Sequence, residues 1–267
     1  MILNIEEILQ YQKTLKAKAP LIHCITNPIS IHDCANVVLA AGGRPMMAEH
    51  PAEVEEITAT AGALALNLGN ITDARKASIL ISGRYAMSHE IPVMLDLVGI
   101  GCSAFRREIV NELLKNRDND MQAPLVLKGN MSEIRALADA HLRVSGVDAA
   151  PEDVIREDNK EAFVAMAKQL TKQYHAVVLI SGETDLVTDG EETILITAGH
   201  EMMSHITGTG CMLGVLTAAY MSVMPPLLAA GAACQVFGTC GERAALYAKG
   251  TGTYQIALLD ELFLYKA

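Results

Sequence analysis

Two hydrophobic patterns alternate along the chain. Short, mostly apolar runs predict buried strands at residues 20–26, 46–48, 63–68, 93–97, 125–127 and 176–180. Between these runs apolar residues recur with a helical period, which predicts helices at residues 5–18, 30–41, 72–89, 103–116, 132–141 and 160–173. A further helix is expected to open at Pro51. Apolar strands that alternate with helices are typical of a parallel sheet covered on both faces.

The pattern changes after residue 180. Asp189-Gly190, a strong turn signal, separates two apolar runs at residues 186–188 and 193–197. This arrangement predicts a β-hairpin that adds antiparallel strands at one side of the sheet. After the hairpin, helices are predicted at residues 209–224, 226–248 and 255–265. No internal repeat or low-complexity linker is evident, so residues 1–267 are expected to form a single domain with an exposed connection at 145–158.

Composition narrows the possible function classes. Of the 267 residues, 51% are hydrophobic, which is enough for a large core. The formal net charge of −10, with no cluster of Lys or Arg, argues against nucleic acid as a partner. An acidic protein that binds a nucleotide therefore needs local positive potential from a metal ion, a helix end or a well-placed lysine.

Two further features bear on the compartment. The six cysteines show neither a Cys-x-x-Cys pair nor zinc-ligand spacing, and the first ten residues carry acids where an export signal carries bases. Both observations predict a cytoplasmic protein with reduced thiols. No residue between His205 and Glu242 is charged, but Pro225-Pro226 divides that run into pieces shorter than the roughly 20 residues of a membrane span. Two buried helices are therefore expected there, and no membrane contact.

The candidate chemistry centres on a glycine-rich octet directly after the hairpin. Its sequence is Thr207-Gly208-Thr209-Gly210-Cys211-Met212-Leu213-Gly214. Gly208, Thr209 and Gly210 precede an apolar helix, whose N-terminal N–H groups form a natural anion site for a phosphoryl oxygen. The plainer interpretation is an ordinary turn followed by a buried cysteine, because short glycine motifs acquire meaning only from their structural context.

Polar residues follow the predicted parallel strands at the end where open α/β sheets bind ligands. Asp96 and Glu133 are candidates for a magnesium site, and Lys128 and Ser181 for contacts with nucleotide phosphates. Each also has a structural alternative: a helix cap for Asp96 and Glu133, a surface lysine for Lys128 and a turn hydroxyl for Ser181. Met47 either lines an apolar pocket or fills a gap in the core.

These residues belong to motifs that resemble those of the hydroxyethylthiazole kinases of thiamine biosynthesis. The resemblance covers nearly the whole chain, and its specificity comes from the ordered combination of motifs. The motifs are residues 20–27 (Pro-Leu-Ile-His-Cys-Ile-Thr-Asn), 43–48 (Gly-Arg-Pro-Met-Met-Ala), 63–69 (Ala-Leu-Ala-Leu-Asn-Leu-Gly), 96–99 (Asp-Leu-Val-Gly), 128–134 (Lys-Gly-Asn-Met-Ser-Glu-Ile), 207–211 (Thr-Gly-Thr-Gly-Cys) and 250–254 (Gly-Thr-Gly-Thr-Tyr).

The resemblance implies a ribokinase-like three-layer αβα fold and a homotrimer with sites near subunit boundaries. It also implies that ATP and Mg²⁺ phosphorylate the primary alcohol of 4-methyl-5-(2-hydroxyethyl)thiazole. Carried over by motif, Met47 and Gly208 contact the thiazole, Lys128 and Ser181 contact ATP, and Asp96 and Glu133 lie at the magnesium region. Cys211 stands where ribokinase-like relatives usually place an aspartate base.

Some positions depart from the family pattern. Leu97 replaces a usual proline, Lys128 a frequent arginine, Ser181 a frequent threonine and His205 a commonly basic residue. Lys128 keeps the positive charge but lacks the bidentate fork of arginine, so it would contact a nucleotide phosphate as a point charge. The absence of a Walker A motif excludes the P-loop class of kinases.

The mechanism expected from these residues depends mainly on positioning. The N–H groups of residues 208–211 would act as an anion hole, and Cys211, with an ordinary thiol pKa of about 8.5, would be an inefficient base unless the helix end lowered it. Three alternatives stay open: a thiol hydrolase that pairs Cys211 with His205, a non-enzymatic anion sensor, and a kinase for another vitamin-precursor alcohol such as hydroxymethylpyrimidine.

Overall fold

The computed structural model describes residues 3–115, 117, 123–139, 142, 154–156 and 158–265. Within these ranges the strands are β1 (Leu21–Ile25), β2 (Arg44–Met46), β3 (Ala63–Asn67), β4 (Val93–Asp96), β5 (Leu125–Asn130), β6 (Val177–Ser181), β7 (Asp185–Thr188) and β8 (Thr193–Ile196). The helices are α1 (Ile5–Lys18), α2 (Ile31–Ala41), α3 (Val54–Ala59), α4 (Asp73–Ser88), α5 (Ala104–Leu114), α6 (Met131–Ala138), α7 (Lys160–Tyr174), α8 (Thr209–Met221), α9 (Pro226–Ala245) and α10 (Thr251–Leu264).

All these strands belong to one sheet, in the order β2-β1-β3-β4-β5-β6-β7-β8. The pairs from β2 to β6 are parallel, whereas β7 and β8 are antiparallel and form the predicted hairpin. The strand order reverses at β1, because β2 lies on one side of it and β3 on the other. Open α/β sheets bind ligands beyond the carboxyl ends of their strands near such a reversal.

Two helix layers cover the sheet. Helices α1, α2, α8, α9 and α10 pack on the face that carries Met94 and Val126, and α3 to α7 pack on the face that carries Leu64 and Leu95. Successive strand residues point to opposite faces, so both core clusters take side chains from the same apolar strands. The predicted three-layer αβα fold is confirmed.

Several element boundaries differ from the predictions. The helix expected at Pro51 begins at Val54, because residues 51–53 form turns in which Glu53 N donates to His50 O (3.0 Å). The last helix begins at Thr251 instead of residue 255, and the Thr253 hydroxyl accepts a hydrogen bond from Gly250 N (3.1 Å) at its start. His141 and most of the 145–158 connection lie outside the described residues.

The charge-free segment forms buried helices, as predicted. Helix α8 ends at Met221, and α9 begins at Pro226 after the proline pair. None of the helices in the described ranges combines the length and the apolar character that crossing a bilayer requires. All six cysteines are free thiols.

Candidate active site

Polar residues from neighbouring strands meet at the carboxyl edge of the sheet. Asn67, Asp96 and Lys128 are direct partners across β3, β4 and β5. One strand further, Asn130 is paired with Ser181. Adjacent strands lie about 4.8 Å apart, so the strand register places these residues side by side.

Lys128 and Asp96 form a buried ion pair. Lys128 Nζ lies 3.0 Å from Asp96 Oδ2, and the two side chains are only 5% and 2% exposed. Burial alone would lower the pKa of Lys128, but the charge of Asp96 raises it above its ordinary value, so the lysine is charged. The alternative of a surface lysine is therefore wrong.

Asp96 does not cap the following helix either. Its Oδ1 accepts a hydrogen bond from Val98 N (3.2 Å), and the N-cap residue of α5 is Ser103. The carboxylate is thus held at the strand end, between the backbone of the next loop and the Lys128 ammonium group.

The glycine-rich octet begins α8 beside this ion pair. Gly208 has a φ of +91°, and a Cβ there would lie 2.6 Å from Ser30 Cβ, so both conformation and space require glycine. A Cβ on Gly210 would lie 3.2 Å from Lys128 Nζ, and one on Gly214 would lie 3.5 Å from Asp96 Oδ2. Gly210 therefore lets the start of α8 approach the Lys128 ammonium group closely, and Gly214 lets the helix pack against Met94, whose Cε would lie 2.7 Å from a Cβ there.

The start of α8 has the properties of an anion site. The Met212 N–H donates to Gly208 O (2.8 Å), so the N–H groups of Thr209, Gly210 and Cys211 precede the hydrogen-bonded ladder of the helix. Gly210 is exposed, and Thr209 and Cys211 are half-buried. The helix end and the Lys128 ammonium group thus supply local positive potential in an acidic protein.

Cys211 has a defined environment. Asn67 Nδ2 donates a hydrogen bond to Cys211 Sγ over 3.3 Å. Burial and then the charge of Asp96 raise the pKa of Cys211, against the opposing effects of Lys128 and of hydrogen bonds from Ser30 and Asn67. The helix end therefore does not produce a low thiol pKa here, and the free protein holds Cys211 mainly as the thiol at neutral pH.

The hydrolase alternative lacks its histidine. His205 belongs to a 3-10 helix, Glu201–His205, and is exposed. Among the described residues, no hydrogen bond joins Cys211 to a histidine. A nucleophilic thiol needs such a partner within hydrogen-bond reach.

Glu133 caps α6 and also carries an unusual pKa. Its Oε1 accepts from Gly99 N (2.7 Å) and its Oε2 from Asn130 N (2.8 Å), while Asn130 Oδ1 accepts from Glu133 N (2.9 Å). Burial and then the charge of Asp96 raise the pKa of Glu133 to about 7, although Lys128 opposes this shift. The predicted cap is thus present beside the Asp96–Lys128 pair.

Ser181 ends β6, and the turn after it contains an aspartate that sequence reasoning missed. Asp185 Oδ1 accepts a hydrogen bond from Gly182 N (2.9 Å), which fixes the turn after Ser181. Burial raises the pKa of Asp185 to about 6, while hydrogen bonds from Gly182 and Cys234 and the charge of Lys128 oppose the rise. The position of Asp185 directly before the strand predicted at residues 186–188 was the available signal.

Met47 follows β2 and is half-buried against the α8 core face. The next residue is tied to β1, because His23 Nε2 lies 3.0 Å from Ala48 O. The other ring nitrogen of His23 lies 2.9 Å from Thr58 Oγ1. Burial lowers the pKa of His23, which favours the neutral ring, and Nε2 is its donor because the carbonyl oxygen of Ala48 can only accept.

Arg75, on α4, was also missed. It is 1% exposed, and its guanidinium donates to the backbone oxygens of Thr26 (2.6 Å), Asn67 (3.2 Å), Asn70 (2.9 Å) and Gly69. Its Nε lies 3.3 Å from Glu49 Oε2. An arginine in a helical pattern normally indicates an exposed position, so the sequence carried no signal for this role.

Comparisons with known proteins identify the family of this chain. The sequence model of the hydroxyethylthiazole kinase family matches residues 12–266. Hydroxyethylthiazole kinase 2 of Clostridium botulinum strain Hall is 44% identical over 255 residues, covering 96% of this chain and 94% of that protein. Hydroxyethylthiazole kinase 1 of Methanosphaera stadtmanae is 38% identical over 269 residues, covering 97% and 93%.

Solved structures of other proteins have the same fold as this chain. The hydroxyethylthiazole kinase of Pyrococcus horikoshii OT3 superimposes with a TM-score of 0.86 at 30% identity, over 98% of this chain and 94% of that one. A ribokinase-like superfamily protein from Enterococcus faecalis V583, at 11% identity and a TM-score of 0.67, covers 94% of this chain and 87% of its own. That likeness concerns the fold alone. With a family match along nearly its whole length and relatives at 38% and 44% identity, the chain belongs to the hydroxyethylthiazole kinase family.

Proposed function

We propose that this protein transfers the γ-phosphoryl group of ATP to the primary alcohol of 4-methyl-5-(2-hydroxyethyl)thiazole. The observation that carries the proposal is the start of α8, where Gly210 approaches the Lys128 ammonium group and Cys211 follows directly. Membership of a kinase family supports ATP as the co-substrate. The names of the relatives support the thiazole alcohol as acceptor.

In the proposed reaction the alcohol oxygen attacks the γ-phosphorus of ATP. A new oxygen–phosphorus bond forms, the bond to the β,γ-bridging oxygen breaks, and ADP leaves. The N–H groups of residues 208–211 and the Lys128 ammonium group stabilise the charge on the transferring phosphoryl group. The alcohol proton passes to the thiolate form of Cys211. Because that form is scarce at neutral pH, alignment contributes more than proton removal.

We assign magnesium to Asp96 and Glu133. Mg²⁺ commonly uses one or two carboxylates together with substrate phosphates and water, so a large protein cage is not required. Each carboxylate oxygen of Asp96 and Glu133 accepts one hydrogen bond and keeps a second lone pair, so both residues are able to bind Mg²⁺. When bound, the ion would neutralise charge on the phosphates.

The remaining contacts with ATP and the thiazole are assigned from the positions of the residues in the fold. Lys128 and Ser181 would contact ATP, with the Ser181 turn held by Asp185. Met47 and Gly208 would contact the thiazole, on the side of the site near the β1–β3 strand reversal. Nucleotide and acceptor would therefore approach the start of α8 from opposite directions.

We further propose a homotrimer with sites near subunit boundaries, formed from one domain spanning residues 1–267, in the cytoplasm. Exposed apolar side chains support an interface: Ile256, Phe263 and Leu264 on α10 and Leu246 after α9 are each at least 60% exposed. The single sheet supports one domain, and the free thiols support a reducing compartment. Light scattering should give three times the 28.6 kDa chain mass, and a monomer would contradict the assembly.

The function is tested by measuring ATP-dependent phosphorylation with two acceptors. The expected substrate is the thiazole alcohol, with the hydroxymethyl alcohol of the pyrimidine precursor as the matched comparison. Product identity is established by mass spectrometry, and ADP release is followed in parallel. Preference for the pyrimidine alcohol would replace the proposed acceptor, and nucleotide binding without turnover would favour a sensor.

A further inference from the structure

Arg75 connects three separate segments of the acceptor side. Its guanidinium donates to Thr26 O at the end of β1 and to Asn67 O at the end of β3. Its Nε lies 3.3 Å from the Oε2 of Glu49, two residues beyond Met47, a contact between opposite charges that lacks hydrogen-bond geometry. Ser78, one turn further along α4, donates to the Glu49 carbonyl over 2.7 Å. The start of α4 thus ties the segments after β1, β2 and β3 together.

Asn67 links the Arg75 contacts to Cys211, because it is hydrogen-bonded to both residues. Its Oδ1 accepts from Gly69 N (2.8 Å), which fixes the amide orientation and turns Nδ2 toward Cys211 Sγ. Asn67 is 2% exposed, and Arg75 holds the backbone oxygens of both Asn67 and Gly69. The position of the sulfur contact therefore depends on the Arg75 fork.

We infer that Arg75 is a positioning residue for phosphoryl transfer, which aligns the acceptor alcohol by fixing the β1, β2 and β3 ends against Cys211. This inference rests on the proposed function, because it takes the acceptor to lie on that side. Lysine cannot replace the fork, since a single ammonium group cannot reach three strand ends in the same geometry. Among the described residues, the hydrogen bonds at Lys128 and in the turn after Ser181 go to Asp96 and Asp185, not to Arg75.

Arg117 provides a matched control. It is also buried (5% exposed) and donates to three backbone oxygens, those of Ala123 (2.6 Å), Tyr174 (3.0 Å) and His175 (3.0 Å). These oxygens precede β5 and β6, at the amino end of the sheet. Arg75→Lys and Arg117→Lys therefore remove the same kind of fork from opposite ends of the molecule.

The test compares the kinetics of these two variants with wild type. For Arg75→Lys, kcat/KM for the thiazole alcohol should fall between about tenfold and about a hundredfold, while KM for ATP changes less than about twofold. For Arg117→Lys, thermal stability should fall, but kcat/KM for the alcohol should not fall selectively in this way. The inference would be overturned if Arg75→Lys changed the kinetic constants for ATP as much as those for the alcohol. It would also be overturned if Arg117→Lys lowered kcat/KM for the alcohol while leaving KM for ATP nearly constant.

Two further measurements keep the inference testable if Arg75→Lys folds poorly or the acceptor is a different alcohol. Asn67→Asp keeps the acceptor for Gly69 N and removes the donor to Cys211, so it should lower kcat/KM for the alcohol in the same selective way. Amide hydrogen exchange should accelerate at residues 26–30 and 67–70 in Arg75→Lys but not in Arg117→Lys. Unchanged amide exchange in these segments would contradict the positioning role of Arg75, whether or not the protein turns over substrate. If the wild-type protein were inactive but the variants showed the expected exchange pattern, only the proposed function would be refuted.

Discussion

At each end of the sheet a buried arginine donates hydrogen bonds to backbone oxygens, but the surroundings of the two arginines differ. At the amino end Arg117 holds backbone oxygens beside a surface cavity of about 690 Å³, which His175 and Pro226 also line. At the carboxyl end Arg75 holds strand ends beside the Lys128–Asp96 pair and the start of α8. The size of a cavity therefore does not identify the end that carries placed charges and N–H donors, which are the features that phosphoryl transfer needs.

Parallel topology explains the difference. A helix that follows a parallel strand begins near the carboxyl end of that strand, so helix N-termini and their free N–H groups collect at that edge. Helix α6 begins directly after β5 in this way. The amino end instead receives helix C-termini, whose partial negative charge is unsuited to a triphosphate.

The largest effect expected at the carboxyl end is that of Lys128→Met. Removing the ammonium group takes away charge stabilisation and leaves Asp96 buried without its cation, so activity should fall at least about a thousandfold. Stability should fall by about 3–5 kcal/mol. Both are measured by steady-state kinetics and denaturant unfolding.

A double variant separates the two consequences of that change. Lys128→Met combined with Asp96→Asn removes both buried charges and should recover much of the stability but none of the activity. Recovery of activity in the double variant would show that Lys128 serves the fold alone, which would make the carboxyl end resemble the amino end.

Cys211 variants should have the next largest effect. Cys211→Ala should be slower by about a hundredfold but not inactive, because positioning is expected to dominate. Cys211→Asp should remain active, since a carboxylate accepts the same proton. Initial rates with saturating ATP and acceptor measure both, and complete loss in the two variants would contradict the assignment of Cys211 as base.

The pH dependence over a single pH unit should be the next effect in size, and it should be specific to the carboxyl end. Because the pKa of Cys211 is raised, the thiolate fraction and therefore kcat should increase about tenfold per pH unit as pH rises from neutrality toward that pKa. Cys211→Asp should move the rise to lower pH. A wild-type profile that is flat between pH 7 and about pH 9 would mean that proton transfer to sulfur is not limiting.

The smallest expected effect concerns stability at Asp185. Its pKa is raised to about 6 by burial, against about 3.9 in an unfolded chain, so the folded state loses stability as pH rises from about 4 through about 6. Asp185→Asn should therefore raise the thermal midpoint by a few degrees at pH 8 and have little effect at pH 4.

Asp189→Asn is the matched control at the amino end. Asp189 Oδ1 accepts from the N–H groups of Glu191 and Glu192 in the hairpin turn, a role that asparagine can retain. This variant should leave the midpoint unchanged at both pH values in scanning calorimetry. A pH-independent gain in Asp185→Asn would show that charge burial is not the cause.

Most of the fold could be predicted because its signals are local. Apolar runs such as residues 63–68 and 176–180 can only be buried, and Asp189-Gly190 specifies a tight turn whatever the surroundings. The predicted boundaries failed where a local pattern was ambiguous, as at Pro51, where a turn precedes the helix. The strand order was beyond local reasoning, because pairing joins residues that are distant in the chain.

Local sequence patterns were enough to establish the αβα layers, the family and the position of the glycine-rich helix start, because strand runs, turn residues and motif order are properties of neighbouring residues. The folded structure was needed to show that Lys128 is buried against Asp96, that Asn67 contacts Cys211, and that Arg75 joins three strand ends. The physical reason is that burial and charge pairing depend on which strands lie side by side. The same packing raises the pKa of Cys211, which no property of the isolated octet could indicate.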